Sequence, residues 1–347
     1  MTIPFASFLP FRAALLIGLF ITSVHADTLY STNSGAVLKF NSAGVSSAFG
    51  FGWNRPSGLA FDSTGNLYIA DNNKILKFTP GGAGSVFVGS GLNTPLGVAF
   101  DGADHLFVAN AGNGTIVKFT PSGVGSLFAS GVNGVKSLAF DHTGNLFVSS
   151  SGNTILKFTP DGTRSIFAST GLNIPYGLAF DVGGNLYVGN PGNNTIVKFT
   201  PSGVGSVFAS GTGGLLDNTY GVAFDSAGDL YAANATNNTT IVKFTPAGTG
   251  SAFANQLSFP EFLAFTDDTG APLSLPPKPP ALRIVPVAPD SLQLRWPKKS
   301  ASWTLETLAN LPANSWVPIP GPYPTDGNDF VHQTQPAEQA RFFHLRR

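Results

Sequence analysis

Leu-Ala-Phe-Asp occupies residues 178–181, and the phrase recurs along the chain with single changes. It reads Leu-Ala-Phe-Asp at 59–62 and 138–141, Val-Ala-Phe-Asp at 98–101 and 222–225, and Leu-Ala-Phe-Thr at 263–266. The spacings are 39, 40, 40, 44 and 41 residues. The unit around 178–181 holds four short apolar runs: Tyr176 to Phe180, Asn185 to Gly189, Thr195 to Thr200 and Ser206 to Ala209. Gly, Pro and Asn separate them, as turn residues should. Four strands per period of about 40 residues predict an all-β chain folded as a β-propeller.

The ends of the repeat region predict how the ring closes. Asp27 to Phe49 carries three of the four strands and lacks the inner one, whereas the last unit carries only an inner strand, Phe262 to Phe265. Together they make one blade, so five whole units and a composite give six blades, closed by strand exchange between the two ends.

Composition sets the surrounding frame. The 347 residues suffice for this ring and a smaller unit; Gly (41) and Pro (26) recur at turn spacing, and aromatic residues make up 12%. With no Cys, disulfides, thiolate metal sites and a cysteine nucleophile are excluded. Residues 1–26 read as a secretory signal: Arg12, an apolar run from Ala13 to Val24, and Val24-His25-Ala26 as a cleavage site. A retained N-terminal anchor is the second reading, although the run is short for a membrane span. Export to a periplasm, the cell surface or the medium is therefore expected, with no integral membrane segment after signal removal. Residues 27–270 carry 14 acidic and 10 basic side chains, and 271–347 carry 5 and 8, so nucleic acid is not an expected partner.

Units such as 175–201 resemble NHL repeats. They share Gly-Asn-Leu-Tyr-Val at 184–188, the Asn before a short loop (Asn190) and Ile-Val-Lys-Phe at 196–199. The resemblance spans 27–270 and implies a six-bladed propeller distantly similar to the gluconolactonase-like group. Residues 271–280 form a proline-rich linker. Beyond it, 281–347 holds six strand-like runs and three of the four Trp, and resembles a reduced fibronectin-type-III module.

Residues present in every repeat read as scaffold. Asp62, Asp101, Asp141, Asp181 and Asp225 should cap the a–b turns as Asx-turns, since each lacks the ligand set of a calcium loop. Lys39, Lys77, Lys118, Lys157, Lys198 and Lys243 should lay their stems over apolar surface and leave solvated heads.

Function is sought where the repeat breaks. Two residues before the Leu or Val of the inner strand stand Ser57, Leu96, Lys136, Tyr176, Tyr220 and Glu261. Lys136, Tyr176, Tyr220 and Glu261 should line one half of the channel mouth, beside the long loop 211–219 with its Asp217 and the strand-end residues Asn190 and Asn234. These residues form a candidate site for a protein, glycan or small-molecule ligand. The plainer reading has the tyrosines fill the mouth while Lys136 pairs with Glu261.

The resemblance also implies a catalytic alternative. Gluconolactonase-type propellers hold a divalent metal with Glu, Asn and Asp at the inner strands, and here only Glu261 matches, with Lys136 nearby to repel a cation. Ca2+ or Zn2+ at Glu261 is thus the secondary reading, and no resident cofactor is expected. Streptogramin-inactivating lyases need a histidine on the channel face, but His105 and His142 fall in a–b turns. The sequence supports a non-catalytic binding scaffold first and a metal-dependent hydrolase or lyase second.

Overall fold

The computed structural model describes residues 27–50, 52–211, 213–236 and 239–273, together with strand segments between 283 and 346. The expected signal (1–26) and residues 274–280 of the expected linker lie outside the described residues. Six four-stranded antiparallel sheets form the blades of a β-propeller. From the inner strand a to the outer strand d, blade 2 runs Pro56–Phe61, Leu67–Asp71, Lys74–Phe78 and Gly84–Val88. Blades 3 to 6 repeat this order, with strand a at Pro95–Phe100, Leu138–Phe140, Leu178–Phe180 and Thr219–Phe224. The helical element among the described residues is a single 3-10 turn, Pro191–Asn193.

Blade 1 is the composite that the ends of the repeat predict. Its strand a, Leu263–Thr266, pairs antiparallel with Thr28–Asn33 in the register Thr28↔Thr266 to Ser31↔Leu263. Strands c and d, Ala36–Phe40 and Ser46–Ala48, complete the sheet. Thr266 replaces the usual Asp because this turn is shifted by one residue: Asp267 accepts from the N–H groups of Thr269 and Ala271.

The recurring Phe joins one blade to the next. On strand b of each blade stands one aromatic ring: Tyr30, Tyr68, Phe107, Phe147, Tyr187 or Tyr231. The Phe of the following blade's inner strand meets it edge-on, with centroids 4.8–5.1 Å apart in all six junctions. A Phe on the blade's own strand d, or in blade 1 just after it (Phe49), meets the same ring at 4.9–5.4 Å. Such edge-to-face packing places the positive edge of one ring on the negative face of another.

The six lysines use that ring as well. Each Nζ lies 5.1–5.8 Å from the centroid of its cross-strand aromatic partner. Their heads differ from the solvated arrangement expected. Lys77, Lys118, Lys198 and Lys243 pair with Asp62, Asp101, Asp181 and Asp225 at 3.4–3.8 Å, because strand c ends beside the neighbouring a–b turn. The aspartates cap those turns as expected. Asp62, for example, accepts from the N–H groups of Thr64 and Asn66 at 3.0 and 2.9 Å.

In the C-terminal segment, one sheet has the order Arg283–Ala288, Ser291–Pro297, Asp329–Thr334 and Thr325–Asp326. A second has the order Val317–Pro318, Thr304–Leu308 and Phe342–Arg346. All six runs read from the sequence are strands here, and Thr325–Asp326 adds a short seventh.

Two predictions follow from closure and capping. A chain ending at residue 275 keeps every blade, whereas one ending at 259 exposes the edge of Thr28–Asn33. The shorter chain should melt about 10 °C or more below the longer, and equal melting temperatures would disprove the closure. Burial pushes the Asp62, Asp101 and Asp141 carboxyls up, but hydrogen bonds from residues two and four positions on outweigh it and hold them below the usual value. A carboxyl lowered in the folded state stabilises fully above the unfolded value of about 4, and that stability is lost as pH falls toward the folded one. Asp225 contributes with the opposite sign, since burial leaves it raised. The triple variant Asp62→Asn, Asp101→Asn, Asp141→Asn should therefore lose less melting temperature between pH 5 and pH 2 than the parent; a scan showing parallel slopes would refute the capping account.

Candidate functional site

The geometry of the channel begins with the residue that follows each mouth position. Gly58, Gly97 and Gly221 sit on inner strands and Gly177 just before one, each backed against the next blade's chain. A Cβ at Gly97 would lie 2.5 Å from the Lys136 carbonyl oxygen, and one at Gly177 2.6 Å from that of Tyr220. At Gly58 and Gly221 the obstructing carbonyls are those of Leu96 and Glu261. The close approach is used for hydrogen bonding: Gly97 N–H donates to the Lys136 carbonyl at 2.7 Å and Gly177 N–H to that of Tyr220 at 3.0 Å. In blade 5 the paired a–b register starts at Leu178, while Tyr176 N–H still donates to the Gly189 carbonyl at 2.8 Å and Gly189 N–H to the Gly177 carbonyl at 2.9 Å. In blade 4, where Ser137 replaces Gly, the buried Ser149 hydroxyl donates to the Tyr176 carbonyl at 2.6 Å and accepts from Ser137 N–H.

With the backbones this close, the preceding side chains turn into the mouth, and the structure brings the four break positions together. Tyr176 is 6% exposed and donates its hydroxyl to Glu261 Oε1, so the ring spans from blade 5 to blade 1. Tyr220 packs on it with centroids 4.4 Å apart, and Phe262 and Phe259 extend the aromatic cluster. Lys136 Nζ lies 5.4 Å from the centroid of Tyr176. The Lys136–Glu261 pair of the plainer reading does not form: the lysine rests on the ring, and the carboxylate takes the phenol at its end.

Burial governs the electrostatics of this group. It pushes the Tyr176 phenol well up, reinforced by the Glu261 charge, and raises Tyr220 in the same way. It raises the Glu261 carboxyl against the opposing pull of the Tyr176 hydrogen bond and the Arg55 charge. Loss of hydration lowers the Lys136 ammonium.

Asn190 and Asn234 are engaged elsewhere. Both are fully buried. Asn190 Oδ1 accepts from Asn173 N–H while its Nδ2 donates to the Gly171 carbonyl and Thr195 Oγ1. Asn234 repeats this with Asp217 N–H, the Leu215 carbonyl and Thr240 Oγ1. These amides tie each d–a loop to the end of strand b, and Asp217 enters the arrangement through its backbone. Asp71 does the same in blade 2, accepting from Asn54 and Arg55 N–H at 2.9 and 2.6 Å. Among the described residues no three His, Asp or Glu side chains converge as a metal site.

Arg55 was not singled out by the break positions, although a signal exists. It stands two residues before Ser57, where the other repeats have Thr94, Gly134, Ile174, Asn218 and Phe259, so it is the one charge at its place in the period. A cavity of about 280 Å³ lies away from the mouth, between blades 1 and 2 on the a–b turn face, bordered by Tyr30, Lys39, Thr79 and Asp268.

No family model matches the chain, and no curated protein matches it. Solved structures do. A catalytically inactive virginiamycin B lyase from Staphylococcus aureus with quinupristin aligns at 16% identity and a TM-score of 0.55, covering 71% of this chain and 94% of that one. A gluconolactonase from Xanthomonas campestris aligns at 19% identity and 0.56, covering 70% and 94%. A putative gluconolactonase gives 17% and 0.55, covering 71% and 87%. These likenesses establish the shared six-bladed fold.

The mouth makes opposite predictions for two substitutions. Glu261→Gln keeps an acceptor for the Tyr176 hydroxyl and removes a buried charge, so the melting temperature should hold or rise. Glu261→Ala leaves that hydroxyl unpaired at a cost of about 1–3 kcal/mol, and should lower it. Thermal denaturation of both at pH 7 decides; equal destabilisation would remove the Tyr176–Glu261 bond from the account.

Proposed function

We propose that this chain is an exported, NHL-type propeller that serves as a non-catalytic binding scaffold, with its ligand face at the channel mouth. The observation that carries this reading is the engagement of the mouth's acid–base groups in the fold. The carboxylate of Glu261 holds Tyr176, and the Asn and Asp side chains at the ends of strand b hold loops. A general acid or base must be free to reach a reacting proton. The histidines of the described propeller, His105 and His142, belong to a–b turns; His105 is further engaged with Asp101 at 2.9 Å. Binding by a rigid ring with variable loops needs no such group.

The alternative, a metal-dependent hydrolase or lyase, draws on the likeness to gluconolactonases and virginiamycin B lyase. Below 25% identity that likeness speaks for fold, and one fold hosts many chemistries. Metal analysis of the purified full-length protein separates the two. The scaffold reading expects calcium and zinc well below one equivalent; a full equivalent that disappears in Glu261→Ala would sink it.

A further inference from the structure

The Tyr176 side chain, bonded to Glu261, divides the channel mouth. Tyr220 of blade 6 lies between the two blades it connects, and blades 2, 3 and 4 lie on the other side. The charges of the channel face are divided in the same way. Asp217 and Glu261 come from the loops entering blades 6 and 1. Arg55 and Lys74 come from blade 2 and Lys136 from blade 4, and the carboxylate on that side, Asp71, is buried and held by two loop N–H groups.

Lys136 is a mouth cation with little compensation. Its side chain is half-buried, and among the described residues its ammonium has a ring face but no hydrogen-bond acceptor and no carboxylate within 4 Å. Of the six strand-c lysines over a ring, Lys77, Lys118, Lys198 and Lys243 also have an aspartate, while Lys39 and Lys157 do not; these two lie away from the channel. A ring face offsets only part of the hydration a half-buried ammonium gives up. Because Nζ is not sealed from solvent, its missing partner can come from outside. Arg55 is exposed and acts on the same centre, close enough for its charge to be felt at both Glu261 and Tyr176. Leu96 of blade 3, part-exposed, stands between these two cations in ring order, so apolar surface accompanies the positive charge.

We propose that the half of the channel mouth on blades 2–4 is a carboxylate-binding site: a ligand carboxylate pairs with Lys136 Nζ, Arg55 adds attraction, and an apolar body attached to it rests toward Leu96. The inference rests on the scaffold reading, in that it takes the channel face as the binding face and requires no bond to break.

Calorimetric titration of the full-length protein at low salt tests it. The probes are N-acetylphenylalanine, its uncharged amide, hexanoate and gluconate; hexanoate and N-acetylphenylalanine separate a simple apolar acid from a peptide-like one, and gluconate replaces the apolar body with hydroxyls. The expected result is saturable binding of an apolar carboxylate, with the amide and gluconate at least about tenfold weaker and affinity falling as NaCl is added. Lys136→Met keeps the stem over Tyr176 and should lose about tenfold or more. Arg55→Ala, at an exposed side chain, should lose severalfold with no change in melting temperature. Absence of saturable binding by the parent, equal binding of acid and amide, or parent-like affinity in folded Lys136→Met overturns the proposal. If Lys136→Met does not fold, parent-like affinity in Arg55→Ala overturns it instead. Assay of the same samples with glucono-1,5-lactone keeps the two readings apart. Turnover that depends on Glu261 ends the scaffold reading alone, whereas missing carboxylate binding without turnover ends this inference alone.

Discussion

The edge-on stacking of phenylalanine on the strand-b ring is the contact on which the rest of the structure depends. Each ring receives one Phe from, or in blade 1 just after, its own outer strand, one from the next blade's inner strand, and a lysine ammonium from its strand-c neighbour. This single site therefore joins three strands of one blade to the following blade. Its sixfold recurrence at nearly constant separation means that every junction has about the same geometry, which a closed ring requires. The Asp of the repeated phrase adds a second link, capping the turn after the Phe and, in four blades, drawing the same lysine into an ion pair.

Closure explains the one irregular copy of the phrase. A propeller without disulfides has to cover its last open edge with backbone pairing, and the pairing of Thr28–Asn33 with Leu263–Thr266 does so between residues 232 (Ser31↔Leu263) to 238 (Thr28↔Thr266) positions apart. The inner strand there is followed by a turn capped one residue later, at Asp267. The cap is conserved in kind while its position moves. Lys39 keeps its ring, Tyr30, and Lys157 of blade 4 its ring, Phe147, without the aspartate that partners the lysines of blades 2, 3, 5 and 6.

The same close packing shapes the mouth. Where glycine lets one inner strand rest on the next blade's carbonyl, the preceding side chain has nowhere to go but the channel. Tyr176 and Tyr220 fill it, and a buried phenol needs an acceptor, which Glu261 supplies. The channel face thus combines a filled centre with an uneven charge distribution around it. Its acidic group, Glu261, is committed to holding the fill in place.

Much of the architecture was legible in the residues alone. The period of about 40, the four runs within it and the complementary ends specify six blades and a strand-exchanged seam, since both signals are local in sequence. The aspartate caps were legible for the same reason, an Asx-turn being a contact between residues two to four apart. The lysine heads were not, because their aspartate partners lie two strands back and meet them only once the sheet has formed.

The break positions Lys136, Tyr176, Tyr220 and Glu261 could be picked out by comparing copies, and their convergence followed from ring symmetry. Which of them touch could not be read, because that depends on side-chain length and direction across an axis where blades far apart in sequence meet. Only the tertiary structure decided that Glu261 binds Tyr176 and leaves Lys136 without a counter-charge, that Asn190 and Asn234 tie loops, and that Arg55 joins the centre. Periodicity determines where each strand lies; which charges are left unpaired is decided by packing at the axis, where six different side chains share one space.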